Sequence, residues 1–177
     1  HGDTAGLPLA RRHFAGDKPG LKADALKVLA FSDDPNEAYG ALEKSLSDGA
    51  PSVQLTATNM LATLGTHRSL DVLAGAARNS QASLVRRYAS HAIGVLGFYD
   101  GIPVLLDVLS GNDPLAASTA ATALSRLSGR PWAKTIWNHE QALSAERDWR
   151  EWWEANQERF PFGQKSAAPR IEPEHQR

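Results

Sequence analysis

The sequence predicts an all-α fold, a right-handed solenoid of about four two-helix repeats, and three observations carry that expectation. Val53 to Gly65 reads VQLTATNMLATLG, and 32 residues later Val85 to Gly97 reads VRRYASHAIGVLG. Val53 aligns with Val85, Ala57 with Ala89, Leu61 with Ile93, and Leu64-Gly65 with Leu96-Gly97. A weaker third copy follows at a spacing of 31, with Ala116, Ala120, Leu124 and Leu127 in matching places. Alanine, leucine and serine dominate while β-branched and aromatic residues are sparse, a composition that suits helices better than strands. Self-similarity at such a period marks units that bury their apolar faces only against neighbouring units.

The elements follow in order. Residues 1–20 carry four glycines, two prolines and mixed charge, and read as an extended arm with one short turn near Pro8 to His13. Helical periodicity begins at Leu21, with Ala25, Val28 and Leu29 on the same face. Asp34-Pro35 supplies an N-cap followed by proline in the first turn. The helix it opens closes at Gly49. Ala50-Pro51 opens the next, which stops at Gly65, and the same grammar recurs through Gly97 and Gly111. Each repeat is therefore a pair: A helices near 21–32, 52–64, 84–96 and 115–127, and B helices near 35–48, 67–79 and 101–110.

After Gly129 the pattern changes. RPWAKTIWNHEQAL reads as irregular, and Ser144 then precedes a last helix that runs to about Phe160. Trp149, Trp152, Trp153 and Phe160 fall at i, i+3, i+4 and i+11, one aromatic stripe suited to covering the apolar end of a solenoid. The chain thus divides into an N-terminal arm (1–20), repeats (21–128), an irregular segment with a tryptophan-rich capping helix (129–162) and a C-terminal tail (163–177). The tail has little to bury, and both ends are expected to reach toward partners as extended arms.

Val85-Arg86, Ala89, Leu96-Gly97 and the apolar Ile102-Pro103, Leu105 and Leu109 resemble HEAT repeats of the bacterial type also found in phycobilin-lyase-like families. The likeness spans residues 21–128, with Gln54 where the pattern has arginine and Ser128 where it has glycine. LSGRPW followed by WREWWEAN is similar to the closing segment of bacterial HEAT proteins, several of them exported. That resemblance implies a HEAT-like solenoid and a periplasmic or otherwise exported location. It implies no catalytic residue.

Charge and composition narrow the function. Nineteen Lys and Arg stand against twenty Asp and Glu, so no global field draws the chain to nucleic acid or anionic lipid. The absence of cysteine removes disulfides, thiolate catalysis and iron–sulfur clusters. No apolar run reaches the roughly 20 residues that span a bilayer. A first residue of His rather than Met is expected of a chain processed ahead of His1. His139-Glu140 begins like a zinc-protease helix, but position 143 is leucine and the second ligand is missing. His91 sits where neighbouring repeats have Asn59 and Thr122, a polar seam between stacked helices. No serine lies in a nucleophile elbow, and the glycines close helices rather than cradle phosphate. No catalytic, cofactor-binding or metal-binding residue is assigned.

A binding surface remains. On the B helices, Leu70, Leu73 and Ala77 face inward and leave Arg68, Asp71, Gly75 and Arg78 as the opposite stripe. Shifting forward one repeat gives Asp100, Pro103, Asp107 and Ser110; shifting back gives Glu37, Gly40, Lys44 and Ser47. Glu37, Lys44, Arg68, Asp71, Arg78, Asp100 and Asp107 are the expected protein-binding residues of a concave face. Their mixed signs suit a polar protein partner. The expected function is a non-catalytic interaction or scaffold subunit of a multi-protein assembly, without nucleic acid or a transmembrane segment. An accessory or lyase-like chaperone of a cofactor-bearing client is the alternative. A HEAT-like DNA glycosylase, with Arg86, Arg87, Arg130, Lys134, Trp132 and Trp137 lining its groove, is the more distant one.

Overall fold

The computed structural model describes residues 6–166. Among them the chain forms α1 (Leu7–Ala15), α2 (Pro19–Leu29), α3 (Pro35–Ser45), α4 (Pro51–Leu64), α5 (His67–Asn79), α6 (Ser83–Leu96), α7 (Gly101–Leu109), α8 (Pro114–Ser128) and α9 (His139–Asn156). The fold is an all-α solenoid. Helices α2, α4, α6 and α8 stack as one layer, while α5, α7 and α9 stack as a second.

Local chemistry sets the helix ends. Proline opens α2, α3, α4 and α8, where its missing N–H is no loss. Asp34, Thr66, Asp113 and Asn138 cap α3, α5, α8 and α9 through their side-chain oxygens. Gly65, Gly97 and Gly129 close α4, α6 and α8 at φ of 67°, 82° and 71°, the left-handed region that an L side chain rarely enters. These glycines keep an unbroken 32-residue period. Ser128 lengthens α8 by one residue, and the closing glycine of the third copy is retained at Gly129 rather than lost.

One more set of contacts recurs at that period. Lys22, Gln54 and Arg86 occupy equivalent places on α2, α4 and α6. The Lys22 ammonium meets Asp48 Oδ2 at 2.5 Å, and Arg86 meets Asp113 Oδ2 at 2.5 Å. Gln54 Nε2 donates to the Asp48 carbonyl at 2.6 Å, as Arg86 Nη1 does to Ser80 O at 2.6 Å. Glutamine thus keeps the bond to the preceding loop and gives up the ion pair to the following one. The Asp113 carboxyl is raised by burial but lowered further by Ser83, the Ala116 amide and Arg86, so it lies below its ordinary value.

The extended arm expected over 1–20 is corrected: Leu7–Ala15 is helical. Ala10 is buried, and Leu7 and Phe14 pack on the core, so α1 lies along α2 in the manner of a B helix ahead of the first repeat. Its outer hook is electrostatic. Arg11 grips Glu37 with Nε at 2.5 Å and Nη2 at 2.9 Å, and Ser32 Oγ donates to the same carboxylate at 2.6 Å. Arg11 and then Ser32 hold the Glu37 carboxyl down at about 2. A depressed acid contributes above its unfolded value of 4.5, and the contribution is lost as pH falls from there toward about 2. We expect α1 amide protection factors to drop across that window at low salt. Glu37→Gln should show the reduced protection already at neutral pH and little further change on acidification. Equal protection in both proteins would remove the clasp from the account of α1 docking.

The C-terminal end is closed by aromatic packing. Helix α9 rests on α7 and α8, in the B-helix place of a fourth pair. Trp149 is fully buried, Trp153 and Phe160 are buried, and Trp152 is partly so. The irregular segment adds Trp132, 5.5 Å from Trp149 between ring centroids, and Arg130 lays its guanidinium 4.8 Å from the Trp149 ring. The aromatic stripe is therefore one wall of a larger cluster.

Beyond Phe160 the chain turns back over the α4–α5 and α6–α7 turns and the end of α8. Gly163 N donates to Asp100 Oδ2 at 2.7 Å, Tyr99 N to Gln164 O at 3.0 Å, and Ser166 N to Gly97 O at 2.7 Å. Lys165 Nζ reaches Gly65 O at 3.1 Å and sits 4.5 Å over the Phe98 ring, while Ser166 Oγ reaches Leu127 O at 3.1 Å. Residues 163–166 thus form a strap rather than the start of an extended arm. Residues 1–5 and 167–177, the remainder of the two expected arms, lie outside the described residues.

Candidate protein-docking groove

Among the described residues two openings border α5 in the B-helix layer, one of about 730 Å³ beside the C-terminal end of α7, lined by Arg78, Asp107 and Asp113, and one beside α3. Helices α5 and α7 pack together, as do α7 and α9, but α3 and α5 scarcely touch. They are joined at one end. The Tyr39 hydroxyl hydrogen-bonds Thr66 Oγ1 at 2.5 Å and Ser69 Oγ at 2.9 Å. Arg68 lies over the Tyr39 ring at 4.3 Å and donates to Asn36 Oδ1 at 3.2 Å. Past this cluster the helices part around a cavity of about 810 Å³, open to solvent. Leu46, Val72, Ala76 and Val85 form its apolar lining, and Glu43 and Asp71 its acidic lining.

The repeat explains the opening. Arg78 on α5 reaches Asp107 on α7 at 2.7 Å and braces those two helices. One period of 32 residues back, the corresponding positions are Leu46 and Gly75. Neither can form an ion pair, and a Cβ built on Gly75 would meet nothing within 4 Å. With no brace between these positions and no side chain at Gly75, the space is left open.

The sequence-derived stripe divides in the structure. Arg68, Asp71 and Arg78 lie exposed along α5, with Arg68 and Asp71 lining the groove. Asp107 is exposed on α7 but tied to Arg78, and Asp100 is tied to the strap. Glu37 and Lys44 face α1: one holds Arg11, and the ammonium of the other lies 5.8 Å from the Phe14 ring. The backward shift of 31 residues is the reason. A shift of 32 carries Arg68, Asp71, Gly75 and Arg78 onto Asn36, Tyr39, Glu43 and Leu46, the line of α3 that meets α5 and the groove. Glu43 was missed for that reason, and the 32-residue spacing of Gly65 and Gly97 was the available signal.

Other candidate residues are engaged elsewhere. Arg86 is spent on Asp113 and the Ser80 carbonyl. Arg130 lies against Trp149 and donates to Asp148 O at 3.0 Å, and Lys134 pairs with Asp148 at 2.5 Å. His91 lines a shallow cleft between α6 and α8 with Ser118 and Thr122, and burial, then Arg126, holds its imidazole below the ordinary value. Among the described residues no three His, Asp or Glu side chains gather as metal ligands, and no helix is long and apolar enough to cross a membrane.

Comparison with known proteins agrees with this architecture. The family model of HEAT repeats matches residues 9–94, from within α1 into α6. No curated protein matches the chain. HEAT repeats are commonly protein-interaction scaffolds and generally a non-catalytic fold. The matched segment is similar to HEAT repeats and supplies the first half of an all-α solenoid that α7, α8 and α9 continue in the same two layers.

Proposed function

We propose that this protein is a non-catalytic interaction subunit that docks another protein on its B-helix face, with the groove between α3 and α5 as the principal contact. The observation behind the reading is the parting of α3 and α5 over an apolar floor, in a layer where α5, α7 and α9 pack directly on one another. A fold built from stacked hairpins offers a long surface whose residues can vary without disturbing the core. A cleft floored by aliphatic side chains and edged by unpaired charge is where such a surface gains most from excluding water.

The test is affinity capture from the native source in mild detergent, with the wild-type chain and a Gly75→Trp variant as paired baits. Gly75 is exposed and faces open space, so the indole enters the groove without displacing core atoms. A stoichiometric set of proteins retained by the wild type and lost with the folded variant is expected. Equal retention by both baits would move the docking site off this groove.

A further inference from the structure

We infer that the groove between α3 and α5 receives a cationic and apolar protein segment, one that sets an aliphatic or aromatic side chain on the floor and a lysine or arginine against Glu43 and Asp71. The inference rests on the docking reading above and adds the chemistry of the partner. Three observations carry it.

The first is the state of the charges. Along α3, α5 and α7, several ionic groups are consumed within the chain: Glu37 by Arg11, Arg78 by Asp107, and Asp100 by the strap amide. The carboxylates of Glu43 and Asp71 are exposed and carry no hydrogen bond or ion pair among the described residues. The cation beside them is not available to either. Arg68 is held over the Tyr39 ring and by Asn36, and does not reach the two acids. The groove therefore presents two carboxylates without an ion-pair partner against one guanidinium, Arg68, which is held at its Tyr39 end, so the lining is net acidic.

The second is the lining. Leu46, Val72, Ala76 and Val85 contribute carbon to a volume of about 810 Å³, large enough for more than one side chain. An inorganic cation would gain nothing from those walls. A peptide side chain gains about 25 cal/mol for each Å² of apolar surface it covers. Lysine and arginine serve both features, because their aliphatic stems lie on apolar surface while the charged head reaches an acid.

The third concerns the helix ends. The C-terminal ends of α3 and α5 border the cavity through Ser47 and Asn79, and the N-terminal end of α6 borders it through Ala82. Two carboxyl ends outweigh one amino end, so the helix dipoles add to the negative sign of the side-chain carboxylates. Nucleic acid, carrying phosphate, is repelled by that sign.

A library of short random peptides selected on the immobilised full chain tests the inference. Enriched sequences should pair a basic residue with a large apolar one, and their binding should weaken as salt is raised. Glu43→Gln/Asp71→Asn keeps the shape of the groove and should weaken binding roughly tenfold. Glu43→Lys/Asp71→Lys should abolish it, and a peptide with glutamate in place of its basic residue should then bind the lysine variant. Circular dichroism melting of each variant confirms that the fold persists. If enriched peptides are blocked by Gly75→Trp but are neutral or acidic and indifferent to Glu43 and Asp71, the cationic partner is overturned while the docking groove stands. Peptides unaffected by Gly75→Trp, or no enrichment over bare resin, would overturn both.

Discussion

Replacing Trp149 with alanine is expected to destabilise the chain by about 3–5 kcal/mol, the range for deleting a large aromatic from a core. The residue is fully buried and stands where three parts of the C-terminal end meet. Its indole lies 5.5 Å from Trp132 and 5.6 Å from Trp152 between centroids, under the Arg130 guanidinium. Truncation removes the surface on which the irregular segment and α9 both rest. Trp152, partly exposed at the edge of the same cluster, should cost less. Trp149 also carries a buried Nε1 with no hydrogen-bond partner. Phenylalanine keeps most of the packing and discards that unsatisfied donor, so Trp149→Phe should recover at least about 1 kcal/mol relative to alanine. Urea unfolding of Trp149→Ala, Trp149→Phe and Trp152→Ala ranks the three. Equal midpoints for wild type and Trp149→Ala would remove the aromatic cluster as the seal of this end.

The second large effect is expected from adding a single methyl group. Helices α6 and α8 approach so closely that a Cβ on Gly94 would lie 2.8 Å from Ala123 Cβ and 3.1 Å from Ala123 Cα. Neither atom can swing aside, since both are fixed to the backbone of α8. Alanine is the better helix former by about 1 kcal/mol, so a free helix would be stabilised by Gly94→Ala. Here the helices must separate instead, and overpacking of this kind costs about 1–3 kcal/mol. Steric conflict wins, and the net change should be destabilising. Ala123→Gly removes one side of the conflict. The double variant should therefore be more stable than the two single changes sum to, a coupling that a double-mutant cycle reads directly. Gly94→Ala raising the melting temperature would mean that the two helices have slack.

The legible part of this fold was the part written in a repeat. Val53 and Val85, Ala57 and Ala89, and the glycines at 65 and 97 report the same burial and the same left-handed turn twice, so each instance checks the other. The paired layers of helices follow from them. Helix α1 was hidden because nine residues lie between Gly6 and Gly16, and glycine at both ends reads as a loop. Leu7, Ala10 and Phe14 carried helical spacing, but a single short stretch has no second copy to confirm it. In the docking face, the exposed line of α5 was legible from its own periodicity. The matching line of α3 was displaced by one residue, enough on a helix to turn Glu43 out and Glu37 in. The pairing of charges was not legible at all. Arg11 with Glu37, Arg78 with Asp107 and Gly163 with Asp100 each join separate elements, and no local pattern encodes which acid stays free.

The strap of residues 163–166 changes how such a stack comes apart. Hairpins that touch only their neighbours can fray from either end, and long arrays lose their all-or-none transition for that reason. In this chain a contact of sequence separation 100 joins Lys165 to Gly65, and Ser166 links the turn at Gly97 to Leu127. Opening the C-terminal hairpin therefore requires releasing the turns of the second and third repeats as well. The contact with the longest loop to close is thus also the one that ties the separate units to one another.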